Sequence, residues 1–216
     1  MRKRRNSRPT PAVRTLDVPV PVELTPEELL ASKLGSSASA DRAILAVSSD
    51  LGVPADASRS VSAALALTRL GADLDRIAKS LAWDEFEDYC AMAISAAGYT
   101  VRRNVRLRKP TRQIDIVAES AQLVLTIDCK HWRRGAGTAG LAAPAKAQAQ
   151  RTKMLRQRSK KREERSFLPV LLTMVDNQVR VVDGVPVVPL PALRGFLASV
   201  SRFDEGFAFI TKRSKP

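Results

Sequence analysis

The spacing of apolar residues divides the chain into a helical first part and a mixed second part. Between Thr25 and Leu81 apolar side chains recur at helical intervals, as in Ile44, Val47 and Leu51 and again in Leu67, Leu70, Leu74 and Ile77. Gly35-Ser36-Ser37, Gly52-Val53-Pro54 and Gly71 interrupt them, which predicts three or four short amphipathic helices. The first opens at Thr25-Pro26-Glu27-Glu28, where Thr25 can cap, Pro26 suits the first helical position and Glu28 completes a capping box. Phe86, Tyr89, Cys90, Ala93, Ile94 and Ala97 then line one face of a helix over 84–97, closed by Gly98. From Tyr99-Thr100-Val101 the pattern turns to strands. Ile114–Ala118 and Leu123–Cys129 are two β-rich runs separated by a loop of hairpin length. A glycine-bearing stretch at 133–142 reads as a mobile loop, and a basic helix is predicted over roughly 144–164. The continuous apolar run Phe167–Val175 predicts a buried strand. Gln178–Asp183 and Val185–Val188 predict a hairpin turned at Asp183-Gly184, and Pro191–Val200 a closing helix.

This order predicts an α/β fold with a mixed central sheet flanked by helices and a small helical N-terminal region. Four segments are expected: a basic flexible arm over 1–23, rich in proline; the small helical region over 24–82; an α/β domain over 83–200; and a basic C-terminal tail over 201–216. The helices of 24–82 are too few to predict a core of their own, so they read either as a DNA-contacting module or as packing for the next domain.

Charge narrows the partners. The 216 residues carry a formal net charge of +14, with a sequence pI near 10.6. Arg2, Lys3, Arg4, Arg5, Arg8 and Arg14 account for +6 of it, so the body of the chain is basic as well. Such a balance points to a polyanion, with nucleic acid first, because Lys and Arg displace its condensed counterions. Two cysteines without close spacing and one histidine predict neither a disulfide framework nor a zinc site. No apolar run reaches the roughly 20 residues of a membrane span, and no apolar signal segment follows the basic start. The expectation is a soluble, cytoplasmic protein. Aromatic content of 5% offers no base-stacking platform.

The candidate chemistry lies between Trp83 and Trp132. Asp115 interrupts the apolar strand Ile114-Asp115-Ile116-Val117-Ala118, where a carboxylate is costly without a metal, a partner or solvent. Asp128 and Lys130 are two apart, so a strand aims both at the same face while Cys129 faces the packing. Glu87 stands at the edge of the apolar face of the preceding helix, and its distance from Asp84 also allows a capping role. Three acids and a lysine on such a frame suit a hard cation and phosphodiester hydrolysis. Basic residues crowd two places: Arg103, Arg106, Arg108 and Arg112 around the first strand, and Arg151, Lys153, Arg156 and Arg158 along the basic helix. Both sets are expected to contact DNA phosphates.

An acid in a strand, a short hairpin and then Asp128-Cys129-Lys130, preceded by helical Glu87, resembles the PD-(D/E)xK nuclease superfamily. Within it, Phe86-Glu87, Gly98-Tyr99, Gln113–Ala118 and Ile127–Trp132 resemble Mrr-type restriction endonucleases, and the spacing is also similar to archaeal Holliday-junction resolvases. The resemblance implies a restriction-endonuclease-like fold and a Mg²⁺-dependent DNA endonuclease, with Mn²⁺ as an alternative ion, acting in restriction or repair. It implies Asp115, Asp128 and Glu87 as metal ligands, helped by the Cys129 carbonyl. It implies Lys130 as the group that positions water and offsets phosphate charge, and Gln148, with Gln150 in reserve, as the glutamine of the following helix. Asp128 stands where Glu is commoner. The partner implied is double-stranded DNA, acted on by a possible homodimer. The alternatives are a junction resolvase and a non-cleaving DNA-binding protein that kept the fold.

Overall fold

The computed structural model describes residues 24–53, 56–159, 164–200 and 206–211. The arm over 1–23 and most of the tail over 201–216 lie outside the described residues.

Four helices come first: α1 (Pro26–Leu34), α2 (Ser37–Leu51), α3 (Arg59–Arg69) and α4 (Leu74–Ser80). The capping box at the start of α1 forms as the sequence predicts. The Thr25 N–H donates to Glu28 Oε2 at 2.7 Å, and the Glu28 N–H donates to Thr25 Oγ1 at 3.2 Å. Helix α5 (Trp83–Ala96) follows, and Gly98, at φ +92°, turns the chain into β1 (Thr100–Leu107). Next come β2 (Arg112–Glu119), β3 (Leu123–Lys130), α6 (Thr138–Arg158), β4 (Ser166–Thr173), β5 (Val181–Val182) and β6 (Val185–Pro189). A 3₁₀ turn at Leu190–Ala192 leads into α7 (Leu193–Ser199).

The sheet runs β1-β2-β3-β4-β6-β5. β1 to β3 form an antiparallel meander, and β4 and β6 continue it in parallel, which requires α6 as the crossover between β3 and β4. β1 is an edge strand and presents Arg102, Arg103 and Arg106 to solvent. Asp183 (φ +50°) and Gly184 (φ +76°) make the β5–β6 turn. Gly184 is required twice over, since a Cβ there would meet Ala208 Cβ at 2.8 Å. A mixed six-stranded sheet flanked by helices is the α/β architecture that the order of elements predicts.

The sheet has two covered faces. On one, Ile116, Leu125, Ile127 and Leu172 pack with Phe86 and Ile94 of α5, and the same core continues into Leu30, Leu65, Leu67 and Ile77 of α1, α3 and α4. The helices of 24–82 therefore share their core with α5 and the sheet. On the other face α6 lies against Val117, Val124, Phe167 and Leu171. Among the described residues no helix is long and apolar enough to cross a membrane.

The sequence reading misplaces α6. The helix begins at Thr138, inside the stretch expected to be a loop, and ends at Arg158 rather than near residue 164. Leu141, Ala145, Gln148 and Thr152 form one buried stripe that starts before Pro144. Pro144 cannot donate an intrahelical bond, yet the buried stripe carries the helix through it. Gly140 lets the first turn close tightly, since a Cβ there would come within 3.2 Å of Ala136 Cβ.

Candidate active site

The site forms where β2 and β3 part. Their pairing runs from Glu119↔Val124 to Ile116↔Ile127. The next rung would join Asp115 to Asp128, but from Ile114 towards Arg112 β2 pairs only with β1 while β3 follows β4. Asp115 spans the opening with its side chain: Oδ2 accepts the Cys129 N–H at 2.9 Å. Burial raises the Asp115 pKa, opposed by that hydrogen bond and raised further by the Asp128 charge.

Alternation along β3 does what the sequence predicts. Cys129 is buried in the core shared with α5, and Asp128 and Lys130 face the α6 side. Asp128 is 4% exposed and holds two cations. Lys130 Nζ lies 2.6 Å from Oδ2, in a direction that makes no hydrogen bond, and Arg151 Nη1 donates to Oδ1 at 2.8 Å. The Lys130 ammonium also stands 6.0 Å from the centre of the Trp132 ring.

Glu87 is brought in by α5. Phe86 is fully buried and its ring lies 5.2 Å from that of His131, which fixes the helix against the end of β3. Glu87 is buried and its Oε1 has no hydrogen-bond partner. Its pKa is raised to about 7, first by burial and then by the charges of Asp115 and Asp128, with Arg103 opposing. The capping alternative for Glu87 is overturned, because Glu85 caps α5 by accepting the Ala82 N–H at 2.9 Å.

Gln148 is fully buried on α6. Its Oε1 accepts from Arg151 Nη1 at 2.8 Å, and its Nε2 has no partner. Gln150, the reserve, is exposed. Trp83, Asp115, Asp128, Lys130, His131 and Trp132 together line a cleft of ≈ 270 Å³. A separate hollow of ≈ 200 Å³ between the link after α2, α5 and β1 has no comparable acid–base set; Arg103 and Asp88 pair on its wall.

The basic residues divide by what they touch. Arg106, Arg108, Arg112 and Lys153 are exposed. Arg103 pairs with Asp88, Arg156 lies 5.4 Å over the Phe167 ring, and Arg158 donates to the carbonyls of Arg108 and Lys109. Arg151, grouped in sequence with the outer basic face of α6, stands inside the site instead. The available signal was its position three residues after Gln148, which puts both on one helix face. His131 packs on Phe86, and its Nε2 lies 3.2 Å from the Ala78 carbonyl at the end of α4.

The donor set suits a hard divalent cation: the oxygens belong to carboxylates, and one of them is buried without a partner. As they stand, no three acidic, histidine or cysteine side chains among the described residues converge tightly enough to hold a metal.

Comparison with protein families adds one match. Residues 78–155 fit the family model Mrr_cat, described as a restriction endonuclease. This segment includes α5, the β1–β3 meander, Asp128-Cys129-Lys130 and most of α6. No curated protein and no solved structure matches the chain.

Proposed function

We propose, from the match of residues 78–155 to a restriction-endonuclease family model and from the site geometry, that the protein is an Mrr-like, Mg²⁺-dependent endonuclease of the PD-(D/E)xK kind that hydrolyses phosphodiester bonds in double-stranded DNA. The role proposed is Mrr-like restriction or DNA repair. The observation that carries the reading is that Asp115, Asp128 and Lys130 line one cleft at the opening between β2 and β3, with Glu87 near enough for the Asp115 and Asp128 charges to raise its pKa.

Asp115, Asp128 and Glu87 would hold the ion, which when bound supplies Lewis-acid stabilisation of the phosphate and of the attacking water. The residues themselves do the rest. In the reaction a water oxygen bonds to phosphorus, the bond to the leaving sugar oxygen breaks, and a proton passes from the water through solvent to that oxygen. Burial and the Asp115 and Asp128 charges raise the Glu87 pKa to about 7 without the ion, so binding of the ion would release a proton from Glu87 near neutral pH. Lys130, held by Asp128, orients water and offsets the negative charge that builds on the phosphate. Asp115 fixes the backbone between Asp128 and Lys130, so both side chains keep their aim. The exposed Arg106, Arg108, Arg112 and Lys153 supply phosphate contacts along the duplex.

The test is nicking of supercoiled plasmid in Mg²⁺, Mn²⁺ or EDTA, run beside Lys130→Ala. Cutting that needs the metal and falls by about 10²-fold or more in the variant is expected. Metal-independent cutting, or equal cutting by both proteins, would sink the reading.

A further inference from the structure

Asp128 is contested. Arg151 Nη1 binds its Oδ1 at 2.8 Å while also donating to Gln148 Oε1 at 2.8 Å, so the guanidinium is fixed between a carboxylate and a fully buried amide. The Arg151 side chain is only 21% exposed. A second cation at Asp128 must compete with it for the same oxygens. We propose that Arg151 governs the entry of a divalent cation at Asp128 and passes to a substrate phosphate as the cation arrives, so that cation and DNA bind cooperatively. The proposal rests on the nuclease reading above and moves Arg151 from the outer phosphate contacts expected along α6 to a positioning role at Asp128, with its phosphate contact coupled to the cation.

Charge balance gives the reason. Asp115 and Asp128 face Lys130 and Arg151, so two carboxylates meet two cations and leave no net charge when all are ionised. A divalent cation turns that into two net positive charges. Arg151 is then a half-buried guanidinium that has lost its carboxylate, next to a metal of like charge, which is costly without a new anion. A phosphodiester oxygen carries the missing charge, and a guanidinium fits phosphate in paired hydrogen bonds. Gln148 keeps one hydrogen bond to Arg151, and its unpartnered, buried Nε2 offers a second donor beside it. Each ligand therefore relieves the cost that the other imposes, and the coupling is reciprocal.

The experiment titrates Ca²⁺, a hard cation with the same preference for oxygen ligands, into the full chain with and without a short DNA duplex. Intrinsic fluorescence is a direct readout, since the protein's two tryptophans, Trp83 and Trp132, both line the cleft. In Arg151→Ala, Ca²⁺ alone is expected to bind about tenfold tighter than in the wild type, the scale of one charged hydrogen bond. Duplex should tighten Ca²⁺ binding by about tenfold in the wild type and by less than about threefold in the variant. Arg151→Lys, which keeps the charge, should follow the wild type more closely than alanine does. Should Arg151→Ala lose its folded circular dichroism spectrum, Arg151→Gln decides by the same criteria.

Equal Ca²⁺ affinity in the wild type and the neutral variant, or equal tightening by duplex, overturns the role of Arg151. Asp128→Asn separates this from failure of the nuclease reading. If Asp128→Asn abolishes Ca²⁺ binding while the Arg151 variants change nothing, only the competition is wrong. If Asp128→Asn binds Ca²⁺ as the wild type does, the acidic cleft is not the cation site and both readings fall.

Discussion

The Asp115 carboxylate accepts a hydrogen bond from the Cys129 backbone N–H at 2.9 Å, so an acid of β2 holds the segment of β3 that carries Asp128 and Lys130. One side chain thus does two jobs: it substitutes for a missing rung of the sheet and it stands in the cleft as a potential ligand.

These jobs come apart by substitution. Asp115→Ala leaves the Cys129 N–H without its acceptor and is expected to cost about 1–3 kcal/mol in urea unfolding. Asp115→Asn keeps an acceptor oxygen and should lose much less stability, yet cut plasmid as poorly as alanine. A stable, fully active Asp115→Asn would remove Asp115 from the chemistry.

Glu87 gives stability a pH dependence of definite sign. Its folded pKa is raised, to about 7 from 4.5, so its stabilising contribution is fully present below about pH 4.5 and is lost as pH rises to 7. Burial raises the Asp115 pKa too, in the same direction. Glu87→Gln removes the ionisation, so its stability relative to wild type should grow between pH 4.5 and 7 and level off above. Thermal melts across that range check this, and a constant difference would argue against a buried, titrating Glu87.

Salt dependence sorts the arginines. Lys153→Ala and Arg106→Ala remove exposed charges and should each lower the slope of log affinity for duplex against log salt by about 1. Arg102 is already paired with Glu119 in two hydrogen bonds, so Arg102→Ala should change the slope less. Equal slopes for all three variants would mean that DNA lies elsewhere.

The N-terminal helices should not be separable. They share one core with α5 and the sheet, and the end of α4 meets His131 directly after β3. A chain beginning at residue 83 uncovers Phe86 and Ile94, and is expected to aggregate on size-exclusion chromatography or lose its cooperative melt. A well-folded, active fragment would restore the idea of an independent module.

Much of this was legible in the sequence because period and chemistry agreed. The alternation of Asp128, Cys129 and Lys130 gave facing directions, and the Thr25 capping box and the Asp183-Gly184 turn formed as their residues demand. What failed to show was long-range. Pro144 and three glycines argue locally for a loop, and only the stripe from Leu141 to Thr152 against the sheet makes α6 begin at Thr138. Arg151 looked like its basic neighbours, because nothing local says that Asp128 lies across from it. The capping role that the sequence allows Glu87 falls to Glu85, because α5 starts at Trp83 and not after Asp84.

The edge position of β1 has a consequence outside catalysis. A strand with one unpaired side is a template on which a second chain can zip, and such edges seed aggregation unless something blocks them. Arg102, Arg103 and Arg106 stand along this one, so two β1 strands approaching side by side bring arginine against arginine. Arg102 and Arg103 are paired with Glu119 and Asp88, so Arg106 carries the open charge of this edge. A neutralised β1, designed for weaker non-specific DNA binding, would yield a protein that sticks to its own copies.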